Sequence, residues 1–90
     1  MKKNLYAGNF VYKGGLGSLK KLLSENGIKG SLVKKEEHRY SMTIYYKDSK
    51  LFQCKLHWSP NRGTIWFTGD RDVISENTEI LSKISDIKST

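Results

Sequence analysis

Residues 39–68 read RYSMTIYYKDSKLFQCKLHWSPNRGTIWFT, and the alternation of apolar and polar side chains along this stretch decides the fold. A period of two residues is typical of strands, because successive side chains point to opposite faces of a sheet. Lys47-Asp48-Ser49 and the segment 59–63 (SPNRG) interrupt the alternation, and both are rich in turn-forming residues. The predicted strands are therefore 39–47, 50–58 and 64–68. Strands joined by such short loops must be antiparallel.

The sequence on the N-terminal side predicts two further strands with a helix between them. Residues 4–12 are rich in aromatic and β-prone types, and residues 28–36 begin the period of two. In the segment between them, three leucines share one face of a short helix. Ser18 is its candidate N-cap, and Gly27 is a candidate C-cap.

The sequence on the C-terminal side predicts the longest helix. Apolar residues recur with a period close to 3.6 over 71–86, and only Asn77 interrupts the stripe. Asp70 or Asp72 is placed to cap the first turn, and residues 88–90 are expected to fray. We therefore expect one α+β domain spanning all 90 residues. Its five-stranded, antiparallel-rich sheet would carry both helices on one face, in the order strand, helix, four strands, helix.

The alternation also predicts which side chains lie on the opposite face of the sheet. The apolar set of the three central strands is expected to face the helices, which leaves the intervening residues on what we call the open face. Aromatic rings beside cations and amides suit nucleic acid there, because rings stack on bases and cations contact phosphates. The predicted open-face contacts are Arg39, Thr43, Tyr45, Gln53, Lys55, His57 and Trp66.

Two other interpretations of the open face stay in competition with nucleic-acid binding. The rings also fit a half-exposed sheet whose aromatic residues only favour strand packing. Tyr45 and Trp66 would equally serve as a hot spot for a protein partner or for a homodimer, since Trp, Tyr and Arg dominate such sites. All three interpretations depend on strand register, because a slip of one residue exchanges the two faces.

Basic residues in two loops extend the candidate binding surface. Lys13, Lys20 and Lys21 flank the run Gly14-Gly15-Leu16-Gly17 at the start of the first predicted helix. Backbone amides there would suit a phosphate, but the run matches neither a P-loop nor a dinucleotide fingerprint, and a plain flexible turn explains it as well. Arg62 lies at the tip of the second hairpin loop, where it would either contact a nucleic-acid backbone or be solvated.

The composition favours an anionic partner. Sixteen Lys and Arg residues outnumber nine Asp and Glu residues, which gives a formal net charge of +7 at pH 7. A positive field attracts nucleic acid or a protein with an acidic surface, although excess lysine also keeps a small protein soluble. The one cysteine, Cys54, excludes an intramolecular disulfide and fits a reducing, cytoplasmic setting. No segment has the character of a signal peptide or a membrane span, so we expect no membrane partner.

The sequence contains few candidates for catalytic residues. His38 and His57 are the residues suited to acid–base work near neutral pH, and His57 with Lys55 and Tyr45 would form at most a small metal-independent ribonuclease site. Cys54 falls on the buried face, and capping explains the carboxylates at turns and helix starts. We therefore expect no enzyme, no cofactor and no metal.

The order of elements resembles a known family. Residues 41–52 (SMTIYYKDSKLF), followed by 63–69 (GTIWFTG) and the last helix, are similar to a strand–turn–strand–glycine–helix passage of TATA-binding-protein-like modules, such as the one at the N-terminus of type 3 ribonuclease H. The resemblance covers most of the chain in element order and includes no specific motif. It implies that the helix-free sheet face contacts nucleic acid, through Thr43, Tyr45, Gln53, Lys55 and Trp66. Because the TATA-binding protein has two such halves, a single copy implies a dimer or a shorter contact.

Two functions are therefore predicted. The first is a small basic protein that binds DNA or RNA through the aromatic and basic residues of the open face. The alternative is a phage or mobile-element protein that binds and blocks a host protein or nucleoprotein. Salt distinguishes the two, because only binding to free nucleic acid should weaken steeply as the salt concentration rises.

Overall fold

The structure, a computed structural model, describes residues 4–46 and 49–89. Its strands form one six-stranded sheet in the order β2-β3-β4-β5-β1-β6, and each pair of neighbours is antiparallel. The predicted α+β class, with two helices and an antiparallel sheet, is confirmed. The elements are β1 (Asn4–Val11), α1 (Leu16–Glu25), β2 (Val33–Glu36), β3 (Arg39–Tyr46), β4 (Ser49–Ser59), β5 (Thr64–Asp70), α2 (Arg71–Ser82) and β6 (Lys88–Ser89).

The prediction of five strands is wrong, because a sixth strand follows α2 and changes the predicted order of elements. Lys88 and Ser89, which we expected to fray, pair with Val11 and Phe10 of β1. The helix ends at Ser82 rather than at residue 86, but the apolar stripe continues into two turns that keep Ile84 and Ile87 buried. Burial of these two isoleucines holds the following segment against β1. Thr90 lies outside the described residues.

The N-terminal half departs from the prediction at the start of α1 and at β2. Gly15 rather than Ser18 is the N-cap of α1, so the N-cap residue has no side chain to cap the first turn. In the predicted strand 28–36 only Val33–Glu36 is extended and paired, while Ile28 and Leu32 are buried in the core. Ile28 and Leu32 therefore contributed to the predicted strand pattern because they are buried, although neither belongs to a strand.

Helix α1 ends at the predicted glycine, although the C-cap residue is Asn26 and Gly27 follows it. Gly27 has a φ of +81°, a conformation that glycine adopts without steric cost. Its N–H donates to the carbonyl of Ser24 at 3.1 Å, and the N–H of Ile28 donates to the carbonyl of Leu23 at 2.9 Å. This pair of bonds is a Schellman motif, which satisfies the last carbonyls of the helix.

The core lies between the two helices and one face of the sheet. Leu19 and Leu23 of α1 and Val73, Ile74 and Leu81 of α2 belong to one buried cluster. The same cluster contains the alternate apolar residues of β3, β4 and β5, so both helices cover the same face of the sheet. These sheet residues are Met42, Ile44, Cys54, Leu56, Trp58, Ile65 and Phe67. Neither described helix has the length and apolar character needed to cross a membrane.

Two short connections hold the central meander together. Residues 60–63 form the turn between β4 and β5, as the sequence predicts, and the Gly63 N–H donates to the Ser59 carbonyl at 2.7 Å. Of the other predicted turn, Ser49 is the first residue of β4, whereas Lys47 and Asp48 lie outside the described residues.

Strand β5 passes directly into α2 at Asp70. Its Oδ1 accepts hydrogen bonds from the backbone N–H groups of Asp72 at 3.0 Å and Val73 at 3.2 Å, so Asp70 is the N-cap. Gly69, just before it, has a φ of +124°, and a β-carbon there would lie 2.8 Å from Cα of Cys54. The close approach of β4 therefore requires glycine at this position.

Candidate nucleic-acid interface

The three central strands place the predicted open-face residues in rows. Residues paired across antiparallel strands point to the same face, so each row can be taken from the backbone register. The row nearest the end of β4 is Ser41, His57 and Trp66; the next is Thr43, Lys55 and Thr68; the third is Tyr45 and Gln53. The intervening residues Met42, Leu56 and Phe67 are buried in the core. The rows therefore lie on the face that the helices leave uncovered.

The second and third rows present four kinds of polar or aromatic group to solvent. Tyr45 is 45% exposed, and its partner Gln53 is also exposed. Lys55 is exposed between the half-buried threonines Thr43 and Thr68. A ring, an amide, an ammonium group and hydroxyls are the groups that stack on bases, bond to base edges and contact phosphates.

His57 lies on this face, but the structure buries it where we expected an exposed contact. It is 8% exposed, because the ring of Trp66 stacks on the imidazole with centroids 5.3 Å apart and planes inclined by 22°. Its Nδ1 is 2.8 Å from Oγ of Ser41, and its Nε2 is 2.9 Å from Oγ1 of Thr68. His57 is thus the centre of a hydrogen-bonded chain that crosses β3, β4 and β5. The chain links the three central strands on the open face.

In this geometry neither ring nitrogen of His57 is free. A general base must reach the proton that it removes, whereas both ring nitrogens of His57 are engaged and Trp66 covers the ring. Burial, and then the positive charges of Arg39 and Lys55, lower the pKa of His57, so the ring is neutral at pH 7. The described residues also contain no group of three or more His, Cys, Asp or Glu side chains placed to hold a metal ion.

A cleft of about 370 Å³ opens at one end of the open face, and we call it the turn cleft. The turn between β2 and β3 and the turn between β4 and β5 form its walls, because alternate turns of an antiparallel meander lie at the same end of the sheet. The lining residues are Glu36, His38, Arg39, Ser59, Arg62, Thr64 and Trp66. The cleft therefore brings together three residues predicted to bind nucleic acid, namely Arg39, Arg62 and Trp66.

Only part of the hydrogen-bonding capacity of the Arg39 guanidinium is used in this cleft. Its Nη2 lies 3.1 Å from Oε1 of Glu36, an ion pair in which the carboxylate side chain is well exposed. Its Nε is buried and has no hydrogen-bond partner within the described part of the chain. The guanidinium edge formed by Nε and Nη2 is thus half used by the protein itself.

Sequence reasoning missed His38, Ser59 and Thr64 as members of a site. Each lies in or beside a turn, where a single residue gives no periodic signal. Their position was nevertheless implied by the predicted meander, since its first and third turns must lie at the same end of the sheet.

The three predicted lysines of the glycine-rich segment lie on α1 or just before it, and none of them belongs to the rows. Lys13 and Lys21 line a cleft of about 580 Å³ together with Glu25 and Asp86, whose carboxylates offset the positive charge. Lys20 lines a separate cleft of about 200 Å³ whose wall includes apolar core residues. Lys13 also passes beside Gly63, in the same turn as Arg62.

Comparison of the chain with protein-family models, with curated proteins and with solved structures finds no match. The features of the protein that bear on its function are therefore the three rows, the turn cleft and the net charge of +7.

Proposed function

We propose that the protein binds nucleic acid across the open face of its sheet. The observation that carries the proposal is the adjacency of exposed Tyr45, Gln53 and Lys55 on the face that the helices leave uncovered. The expectation drawn from TATA-binding-protein-like modules, that a helix-free sheet face contacts nucleic acid, supports the same surface.

The charges on this surface have the sign that the proposal requires. The three rows contain Lys55 and no carboxylate, and the turn cleft adds Arg39 and Arg62 against the single carboxylate of Glu36. A net charge of +7 adds a long-range attraction for polyanions. Because cations on the protein displace condensed counterions from the nucleic acid, the affinity should fall as salt rises.

The test is a titration of the protein with single- and double-stranded DNA and RNA at two salt concentrations. We expect Lys55→Glu to weaken binding and to lower the slope of log affinity against log salt by about 1, the value for one phosphate contact. Lys83→Glu makes the same change in net charge at the C-cap of α2, where Lys83 forms an exposed ion pair with Glu79. Absence of binding to all four nucleic acids at low salt, or equal losses in the two variants, would overturn the proposal.

Tyr45 provides a second, uncharged test of the same surface. Stacking of one base on an aromatic ring contributes about 1–3 kcal/mol, so Tyr45→Ala is expected to weaken binding by about fivefold or more. Tyr45→Phe keeps the ring and should bind as the wild type does. Since Tyr45 lies on the surface with 45% of its area exposed, neither change should lower the melting temperature much.

Binding and blocking of a host protein or nucleoprotein, as by a phage or mobile-element product, is the second candidate function. The observation that favours it is an exposed apolar side chain on the open face, since Val33 is 51% exposed and is paired with Ser41. Under this function the protein would show no affinity for free DNA or RNA and would retain one host protein in a pull-down. Val33→Lys should then abolish retention, whereas it should not weaken nucleic-acid binding.

A further inference from the structure

We propose that the turn cleft holds one nucleotide of an unpaired strand, with its base on Trp66 and its phosphate between Arg39 and Arg62. This inference rests on the proposed function and names the part of the ligand that the end of the open face receives. It predicts that the preferred ligand is single-stranded.

The cleft is continuous with the rows of the open face. Tyr40 pairs with Trp58, and Ser59 pairs with Thr64, so Arg39, Ser59 and Thr64 lie one step beyond the row that contains Trp66. A strand of nucleic acid that crosses Tyr45 and Lys55 would therefore reach the cleft at its end.

A phosphate would use the hydrogen-bond donors of the cleft arginines more fully than the protein's own acceptors do. Arginine binds a phosphate most strongly through two parallel hydrogen bonds. Glu36 occupies Nη2 of Arg39 and leaves the buried Nε without an acceptor. An ion pair this exposed is weak, so a phosphate can replace Glu36 and use both donors of that edge. Arg62, which is exposed on the opposite wall, supplies the second cation.

The aromatic wall of the cleft fits a base. Trp66 is partly exposed and already stacks on His57, so a base on its other side would extend an existing stack. Sites for small molecules usually have volumes of about 300–1,000 Å³, and the cleft, at about 370 Å³, falls at the small end of that range. A cleft of this size suits one nucleotide. The hydroxyls of Ser59 and Thr64 lie in the same wall and can bond to the base edge or the sugar.

The two tryptophans allow the cleft to be tested directly. Trp58 is 2% exposed in the core, so quenching of fluorescence by a ligand reports on Trp66. At low salt we expect adenosine monophosphate to quench this fluorescence, and adenosine or inorganic phosphate to bind at least about tenfold more weakly. Trp66→Phe should abolish the quenching. Phosphate that bound as tightly as adenosine monophosphate would overturn the position of the base on Trp66.

Arg62→Ala and Arg71→Ala form a matched pair of variants. Both remove one exposed arginine, but Arg71 begins α2 at the opposite end of β5, about 20 Å from the cleft at 3.3 Å per residue. Arg62→Ala is expected to weaken binding of adenosine monophosphate about tenfold or more, as loss of a charge-assisted hydrogen bond does. Arg71→Ala should leave it unchanged, and both variants should melt like the wild type.

Oligonucleotide binding separates failure of this inference from failure of the proposed function. If a ten-nucleotide single strand binds and Lys55→Glu weakens it, while Arg62→Ala and Arg71→Ala behave alike, the cleft inference is overturned and the open face stands. If adenosine monophosphate binds in an Arg62-dependent manner but no oligonucleotide binds, the cleft is a site for a free mononucleotide, and both the proposed interface and the unpaired strand as ligand are overturned. If neither ligand binds, both proposals are overturned.

Discussion

Replacement of Gly69 by alanine tests how closely β4 and β5 approach each other beneath the candidate interface. Gly69 is paired with Cys54 and has a φ of +124°. A β-carbon on Gly69 would lie 2.8 Å from Cα of Cys54 and 2.9 Å from the carbonyl oxygen of Gln53. Both of these are backbone atoms, so no side-chain rotation can relieve the contact, and the two strands would have to separate.

The cost of this substitution follows from two contributions. An L-residue held at an unfavourable positive φ costs about 1–3 kcal/mol. Extra volume forced into a packed region costs typically about 1–3 kcal/mol. The free energy of unfolding should therefore fall by about 2–6 kcal/mol, against a total of about 5–15 kcal/mol for a domain. Because 1 kcal/mol shifts the melting temperature of a domain this size by about 4–8 °C, we expect a decrease of at least about 8 °C.

Urea unfolding followed by tryptophan fluorescence measures this loss, and Gly17→Ala is the matched control. Gly17 is the second residue of α1 and its φ is not positive, and apart from the neighbouring backbone of the helix itself no described atom lies within 4 Å of an added β-carbon. Alanine favours a helix over glycine by about 0.5–1 kcal/mol, so Gly17→Ala should raise the stability slightly. A Gly69→Ala variant whose stability lies within about 1 kcal/mol of the wild type would refute the reasoning, because the strain and the crowding together should cost at least about 2 kcal/mol. Equal losses in the two variants would refute it as well.

Three further predictions concern His57, Asp70 and Cys54. Burial first, and then nearby cations, lower the pKa of His57 in the folded state, so the unfolded chain gains protons first as the pH falls below 6.5. The free energy of unfolding, measured by urea titration, should then decrease between pH 7 and pH 5. His57→Gln should remove this decrease. A variant with the same pH dependence as the wild type would contradict the prediction. Asp70→Ala removes the N-cap of α2 and should cost about 1 kcal/mol in thermal unfolding, whereas Glu76→Ala, on the exposed face of α2, should cost much less. Burial, and secondly the charge of Asp70, raise the pKa of Cys54 to about 12, so thiol labelling at pH 8 should be no faster than unfolding; rapid labelling of the folded protein would show that Cys54 is accessible.

The central sheet could be predicted from the sequence because one of its faces is buried and the other is not. Under that condition each strand of the stretch 39–68 must alternate, and Met42, Leu56 and Phe67 are buried as the alternation requires. His57 shows what the alternation does not predict. The pattern places His57 on the correct face of the sheet, but it does not predict that Trp66 buries the imidazole. Burial of a residue on the polar side depends on its cross-strand neighbour, here Trp66, and a single strand does not contain that information.

The elements that sequence patterns missed are those that tertiary contacts create. Strand β6 has two residues, too few for any period, and exists because β1 offers it an edge. The turn cleft likewise requires two turns that are far apart in sequence to meet. Its charged residues come from the β2–β3 and β4–β5 turns, so no local motif marks it.

The position of β1 between β5 and β6 has a consequence for the order in which the sheet folds. The pairing of Val11 with Thr64 closes a loop that contains α1 and three strands, whereas β3 pairs with β4 and β4 pairs with β5, each the next strand along the chain. Closing the longer loop costs more chain entropy and slows folding. We therefore expect the β3–β4 and β4–β5 hairpins, which contain the rows of the candidate interface, to form first. Strand β1 should pair with β5 late in folding. Substitutions in the hairpins should then slow folding, while those at the β1–β5 contact should mainly speed unfolding.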